Sequence, residues 1–149
     1  MKKENWNESN IPDQSGKIFI VTGPTSGLGE ETTRVLSRKN ATVIMAARNI
    51  KKAESVANEI LAENKNAKID IEELDLTSLE SIKNFSHQIF KKYKNLDCLI
   101  NNAGIMACPY SKTKDGFEIQ MGTNHLGHFA LTGQLISLLK KTSNSRVIN

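Results

Sequence analysis

Lys17-Ile18-Phe19-Ile20-Val21-Thr22-Gly23-Pro24-Thr25-Ser26-Gly27-Leu28-Gly29 runs an apolar strand directly into a glycine-rich turn, with a helix opening at its end. Glycines at 23, 27 and 29 give the spacing G-x-x-x-G-x-G. A turn of this kind brings bare backbone N–H groups and a helix N-terminus up to a phosphate. No Cβ blocks the approach, and the helix dipole favours the negative charge. The stretch reads as the pyrophosphate site of a dinucleotide-binding α/β domain; an ordinary glycine-rich βα turn is the alternative until its surroundings agree.

The remaining chain supplies those surroundings. Strands are expected at about residues 17–22, 41–47, 68–72 and 96–100, with a fifth starting at 145. Helices are expected at about 28–39, 50–63, 78–94 and 115–141. The second strand, Ala41-Thr42-Val43-Ile44-Met45-Ala46-Ala47, is nearly continuous in apolar residues, as in a parallel sheet covered on both faces. The helices carry apolar stripes at helical spacing: Leu28, Val35 and Leu36; Ala53, Val56, Ala57, Ile60 and Leu61; Leu79, Ile82, Phe85, Ile89 and Tyr93. Alternating βα units with connections too long for hairpins predict an α/β fold, a doubly wound parallel sheet with helices on both faces. In such a sheet ligands bind outside the carboxyl ends of the strands, beside the switch point at strand one. The glycine turn, Arg48, Asp75 and Asn101–Gly104 all fall at such ends. Residues 1–16 read as an N-terminal extension, in which Trp6 and Ile11 are candidates to tuck onto the domain of residues 17–149.

Composition narrows the class. With 149 residues, 38% hydrophobic and 24% charged, the chain suits one globular domain. It has no apolar run of the ~18 residues a membrane span needs, and its polar start lacks a signal peptide's apolar centre. The formal charge of +4 comes from scattered lysines. A nucleic-acid surface would concentrate arginine with aromatics, so nucleic acid is not an expected partner. Cys98 and Cys108 form no framework, and a cytoplasmic, reducing setting is the simplest expectation.

The end of strand two bears on the choice of nucleotide. An acidic residue there, ~20 residues past the glycines, binds the ribose hydroxyls of NAD. This chain has Met45-Ala46-Ala47-Arg48-Asn49 instead. A guanidinium pairs with a 2′-phosphate, which a carboxylate would repel. NADP(H) is therefore the expected cofactor and NAD(H) the alternative; a solvated Arg48 is the bland reading.

Thr22–Gly29, Asp75-Leu76, Asn101-Asn102-Ala103-Gly104 and Asn124-His125-Leu126-Gly127-His128-Phe129 together resemble the short-chain dehydrogenase/reductase family, in order and over about residues 16–149. Ala47-Arg48-Asn49, Cys108-Pro109-Tyr110-Ser111-Lys112-Thr113 and Asp115-Gly116-Phe117-Glu118 are similar to its retinol-dehydrogenase-like branch. The resemblance implies a Rossmann fold in which Thr22, Gly23, Thr25, Ser26, Gly27, Leu28 and Gly29 cradle the cofactor. It implies that Asp75 meets the adenine amino group, with Leu76 beside the ring. Asn102, Ala103 and Gly104 would line the adenosine-ribose and nicotinamide side, Asn101 would support strand four, and Asn124 would be the catalytic asparagine holding a water in a proton relay. Elementary chemistry leaves alternatives open: Asp75 as a helix N-cap, Asn101-Asn102 as a turn, Asn124 as a plain polar helix residue.

The family reaction is hydride transfer between nicotinamide and a carbonyl or alcohol, here expected to belong to a small lipophilic molecule. It uses a serine and a Tyr-x-x-x-Lys pair that follow strand five. The chain ends at Val147-Ile148-Asn149. It is therefore expected to be truncated in strand five, to hold the cofactor-binding part, to lack those catalytic residues and to be inactive alone. Tyr110-Ser111-Lys112-Thr113-Lys114 spells the motif, but Pro109 before it and Asp115-Gly116 after it read as loop. His125 and His128 make a poor metal pair without a completing ligand, so no metal site is expected. A non-catalytic nucleotide-binding module, or the remnant of an interrupted gene, is the competing function. An open sheet edge also allows a homo-oligomer.

Overall fold

The structure is a computed structural model and describes residues 6–149. The first part of the polar start, residues 1–5, lies outside the described residues. The elements follow one another as β1 (Ile18–Thr22), α1 (Gly27–Arg38), β2 (Thr42–Ala47), α2 (Ile50–Glu63), β3 (Lys68–Glu73), α3 (Leu79–Lys92), β4 (Cys98–Ile100), a single turn α4 (Ile119–Met121), a π-helical turn (Gly122–Leu126), α5 (Gly127–Lys141) and β5 (Arg146–Ile148).

All five strands are parallel, in the order β3-β2-β1-β4-β5. Alternation along each strand sends side chains to opposite faces. Ile20, Ile44 and Leu99 join Phe85 and Ile89 of α3 and Leu131, Leu135 and Leu138 of α5 in the larger core. Val21 and Val43 meet Leu36 of α1 on the other face, and Met45 and Ala47 meet Ala53, Val56, Ala57 and Ile60 of α2. This is the expected doubly wound α/β architecture. The chain turns to opposite sides after β1 and β4, so a crevice opens between their carboxyl ends. One outer strand, β3, carries Lys68, Asp70 and Glu73 outward, and charge of this kind blunts an edge. The other, β5, exposes Val147 and Ile148 at the chain end.

Local chemistry sets the helix ends. Asn49 caps α2 by accepting the Lys52 N–H at 3.0 Å. Ser78 caps α3 by accepting the Ser81 N–H at 3.2 Å, and Asp115 Oδ2 takes the Leu79 N–H at 2.8 Å. Lys91 and Lys92 close α3, and Lys140 and Lys141 close α5, where cations meet the negative end of the dipole.

Three expectations need correction. Leu28 is not on the buried stripe of α1 but 82% exposed. The helix buries Gly29, Thr33, Leu36 and Ser37 instead, because its first turn overhangs the crevice rather than the sheet. Leu79 is likewise exposed, at the entrance to α3. The fourth long helix does not start at residue 115. Residues 111–118 form a strap in which Lys112 bridges Glu118, and Glu118 caps the following turn by accepting the Gln120 and Met121 N–H groups.

The extension does dock, though Trp6 is exposed and Ile11 only half-buried. Polar groups hold it. Buried Gln14 donates its N–H to Lys39 O at 2.7 Å, Asn40 donates to Asp13 at 2.7 Å, and Glu8 pairs with Arg38 at 2.8 Å.

Candidate functional site

The crevice at the β1–β4 switch is a cavity of about 620 Å³. That is within the range of ligand pockets, about 300–1,000 Å³. Its walls come from four strand ends: the turn after β1, Arg48 and Asn49 after β2, Leu74 to Thr77 after β3, and Asn102 to Ile105 after β4. Residues from distant parts of the chain therefore converge as the sequence predicted.

The glycine turn is built for close approach. Gly23 has φ +64°, and a Cβ there would sit 2.9 Å from Ala103 Cα. A Cβ on Gly29 would lie 2.2 Å from Gly23 O and 2.4 Å from Asn102 Nδ2. The first turn of α1 is thus pressed against the β1 exit and the β4 loop, with no room for a methyl group. Ser26 occupies the N-cap position of α1, yet its hydroxyl makes no capping bond. The helix N-terminus keeps its donors for an anion. Gly23, Thr25, Ser26 and Leu28 line the cavity; Gly27 opens the helix, while Gly29 and the fully buried Thr22 shape the turn from behind. The exposed side chain of Leu28 is explained by its position on the rim.

Arg48 lines the wall, and so does Lys52 in the first turn of α2. Lys52 was not singled out in the sequence; Arg48 lies just before the Asn49 cap and Lys52 in the turn after it, so both cations stand at the start of α2. Asp75 lines the wall too, largely buried, with both oxygens engaged. Oδ1 accepts from the Thr77 N–H at 3.0 Å and the Thr77 hydroxyl at 2.7 Å; Oδ2 pairs with Lys114 at 3.0 Å. Burial alone would raise its carboxyl pKa, but the Thr77 bonds and the Lys114 ammonium outweigh burial and hold it below the ordinary range. Asp75 is not the N-cap of α3; that is Ser78. Leu76 is buried and also lines the wall.

The β4 loop is tied to the β1 exit. Asn102 Nδ2 donates to Thr22 O at 2.9 Å and Gly23 O at 3.3 Å, so its carboxamide braces the turn while the residue lines the cavity. The Ala103 N–H donates to Thr22 Oγ1 at 2.9 Å, and Ala103 and Gly104 form the wall beyond. Asn101 donates to Thr132 Oγ1 at 3.2 Å and Asn149 Oδ1 at 2.8 Å, joining β4 to α5 and the chain end.

Asn124 stands in the π-helical turn rather than in a regular helix. Its carboxamide grips the Ile105 backbone both ways, accepting the N–H at 2.9 Å and donating to the carbonyl at 2.8 Å. π-turns recur at functional sites, but no sequence period announces this one. The two histidines diverge. His125 is exposed and stacks on Phe129 with centroids 6.5 Å apart, whereas His128 is buried against Thr22. Tyr110 is exposed in the loop and Lys114 turns to Asp75, so this Y-x-x-x-K has no shared helix face.

A bare phosphate cradle, an uncapped helix start and two cations lining one groove fit a nicotinamide dinucleotide. Comparison with known proteins agrees. The family model described as short chain dehydrogenase matches residues 17–149. Mouse retinol dehydrogenase 12 (Mus musculus) is 48% identical over 134 residues, covering 90% of this chain and 42% of that protein. The chain thus spans about two fifths of the length of the curated relatives it matches. The crystal structure of an uncharacterised protein from Mycobacterium paratuberculosis superposes with a TM-score of 0.78 at 44% identity, covering 89% of this chain and 46% of that one. A short-chain dehydrogenase from Escherichia coli CFT073, solved in complex with NADPH, superposes with a TM-score of 0.76 at 30% identity, covering 90% and 57%.

Proposed function

The chain belongs to the short-chain dehydrogenase family, and from that premise we propose that it is the cofactor-binding part of an NADP(H)-dependent oxidoreductase acting on a carbonyl or alcohol group of a small lipophilic molecule. The observation that carries the reading is the shared groove, walled by the glycine turn at Gly23, Thr25, Ser26 and Leu28, by Arg48 and Lys52, by Asp75 and by Asn102–Gly104. When bound, the cofactor supplies or accepts the hydride. The protein's part is to position it. The α1 N-terminus faces the pyrophosphate, Arg48 and Lys52 neutralise a 2′-phosphate, and Asp75 accepts from the adenine amino group beside Leu76. The retinol dehydrogenases among its relatives support a lipophilic substrate class, and the NADPH complex of a structural neighbour supports the phosphorylated cofactor.

Arg48 decides between the two dinucleotides. Fluorescence titration of the purified chain is expected to give tighter binding of NADPH than NADH. Arg48→Ala is expected to weaken NADPH by about tenfold or more while leaving NADH nearly unchanged. Tighter NADH binding by the unsubstituted chain refutes the preference.

We further propose that these 149 residues bind cofactor without turnover, since Tyr110 is exposed in the loop while Lys114 is paired with Asp75. NADPH-dependent carbonyl reduction by the purified chain would overturn this. The unpaired thiols Cys98 and Cys108 support a cytoplasmic setting, which locating the tagged protein in fractionated cells tests. Among the described residues no helix is long and apolar enough to cross a membrane.

A further inference from the structure

His128 takes no part in the site as the family motifs describe it, yet it is 5% exposed and bonded at both ring nitrogens. Nδ1 lies 2.9 Å from the Asn124 carbonyl oxygen, and Nε2 lies 2.9 Å from Thr22 Oγ1. A carbonyl only accepts, so Nδ1 carries the hydrogen. Burial pushes the ring's pKa below the ordinary histidine value, against a smaller upward push from the Asn124 carbonyl, so the ring is neutral and Nε2 is an acceptor. The Thr22 hydroxyl then donates to Nε2, and its oxygen accepts the Ala103 N–H at 2.9 Å.

The donors run in one direction: Ala103 N–H to Thr22, Thr22 O–H to His128, His128 N–H to Asn124. A chain aligned in this way strengthens each of its bonds. Asn124 in turn grips the Ile105 backbone through both ends of its carboxamide. The circuit therefore closes on the β4 loop two residues from where it began, with Gly104 enclosed between Ala103 and Ile105. A Cβ on Gly104 would stand 3.6 Å from Asn124 Oδ1. The loop that walls the groove is held at both ends, and the imidazole is the link that joins the two holds.

We propose that His128 is a positioning residue: as the Nδ1–H tautomer it latches the π-turn bearing Asn124 to the floor of the cofactor groove through Thr22. The latch sets the Ala103–Ile105 wall and the Asn124 carbonyl together, so cofactor binding and the placement of Asn124 are coupled. Its effect on cofactor rests on the groove being the dinucleotide site; the latch itself does not.

The test uses the isotopically labelled 149-residue chain. Long-range proton–nitrogen correlation is expected to show His128 protonated at Nδ1 and unprotonated at Nε2. The opposite tautomer places a lone pair against the Asn124 carbonyl and overturns the proposal without any substitution. Amide hydrogen exchange then reads the wall. His128→Gln keeps a group near Thr22 but loses the Asn124 carbonyl, and Thr22→Val removes the central hydroxyl at constant shape. Each is expected to speed exchange of the Ile105 N–H by about tenfold or more while the β2 amides stay slow, the mark of local rather than global opening. Each is also expected to weaken NADPH by about tenfold, the effect of losing one ordinary hydrogen bond, with Thr22→Ser restoring both readouts. Ile105 exchange that is unchanged, or that rises only in step with the β2 amides, overturns the latch. Should His128→Gln fail to fold, the tautomer and the Thr22 variants still decide. Failure of the unsubstituted chain to bind NADPH counts against the proposed function instead, because the tautomer and exchange are read without cofactor.

Discussion

Gly29→Ala sets two physical effects against each other. Gly29 is the third residue of α1, and alanine there raises helix propensity, worth about 1 kcal/mol in favour of folding. The added methyl would stand 2.2 Å from Gly23 O and 2.4 Å from Asn102 Nδ2. A carbon and a carbonyl oxygen settle at about 3.3 Å, so the turn must open by about 1 Å. Gly23 O is backbone and cannot swing aside. Asn102 is held by its bonds to Thr22 O and Gly23 O, so moving it breaks the brace between β1 and β4. Overpacking costs about 1–3 kcal/mol, and the lost hydrogen bonding adds about 1 kcal/mol. Sterics win: the expected net loss is about 1–3 kcal/mol by urea unfolding, small enough beside a typical total of about 5–15 kcal/mol to leave the domain folded. NADPH affinity is expected to fall at least tenfold, because the shifted atoms belong to the turn proposed to cradle the pyrophosphate. Gly133→Ala in α5 is the control, since a Cβ there meets nothing within 4 Å. Only propensity remains, and this variant is expected to gain about 0.5–1 kcal/mol with unchanged binding. A Gly29→Ala chain as stable as its parent and equally able to bind NADPH refutes the close-approach argument.

The other predictions are more local. Asp75 has a folded pKa below the ordinary aspartate value, so its contribution is complete above that ordinary value and is lost as the pH falls through the folded one. Asp75→Asn is expected to flatten the acid side of the stability curve measured by urea unfolding, and an unaltered slope would count against the Thr77 and Lys114 bonds. His128 also has a lowered folded pKa, so the unfolded chain binds the extra proton first. Stability is expected to decline as the pH drops below the ordinary histidine value and to lose that part of its slope in His128→Asn. Phe85, 2% exposed between α3 and α5, is expected to cost about 3–5 kcal/mol on substitution by alanine. A cost below 1 kcal/mol in chemical denaturation would show that the α3–α5 core is not packed as described.

The fold was legible where local and tertiary demands coincide. The stripe of α2 is an example: Asn49 supplies a cap, Ala53, Val56, Ala57 and Ile60 recur at helical spacing, and the helix runs from Ile50 to Glu63 as its pattern predicts. The α1 pattern misled at Leu28 because periodicity reports which residues share a face, not what lies opposite each turn. The sheet ends before the helix does, and the first turn projects over the groove. The strap at 111–118 takes up what the sequence predicts as the start of the long helix at about residue 115. In the structure Asp115 caps a different helix, α3, and Glu118 caps the turn that does form.

Legibility of the site divides along the same line. Gly23, Arg48, Asp75 and Asn102 each sit just beyond a strand, and the topology of a doubly wound sheet brings strand ends together whatever lies between them. Their convergence follows from connectivity, which the sequence pattern reveals. His128 is different. Its partners are Asn124, four residues away in a π-turn, and Thr22, which lies 106 residues earlier in the chain. A histidine flanked by phenylalanine and glycine on a helix carries no mark of such a bond; only the packing of α5 against the β1 exit creates it. Lys114 reaches Asp75 for the same reason, through a strap whose course depends on Asp115 finding α3. Residues that line the groove can therefore be found from their place in the topology. Residues that hold that lining in place are set by side-chain packing between elements distant in sequence, and in this chain they are the ones the structure had to reveal.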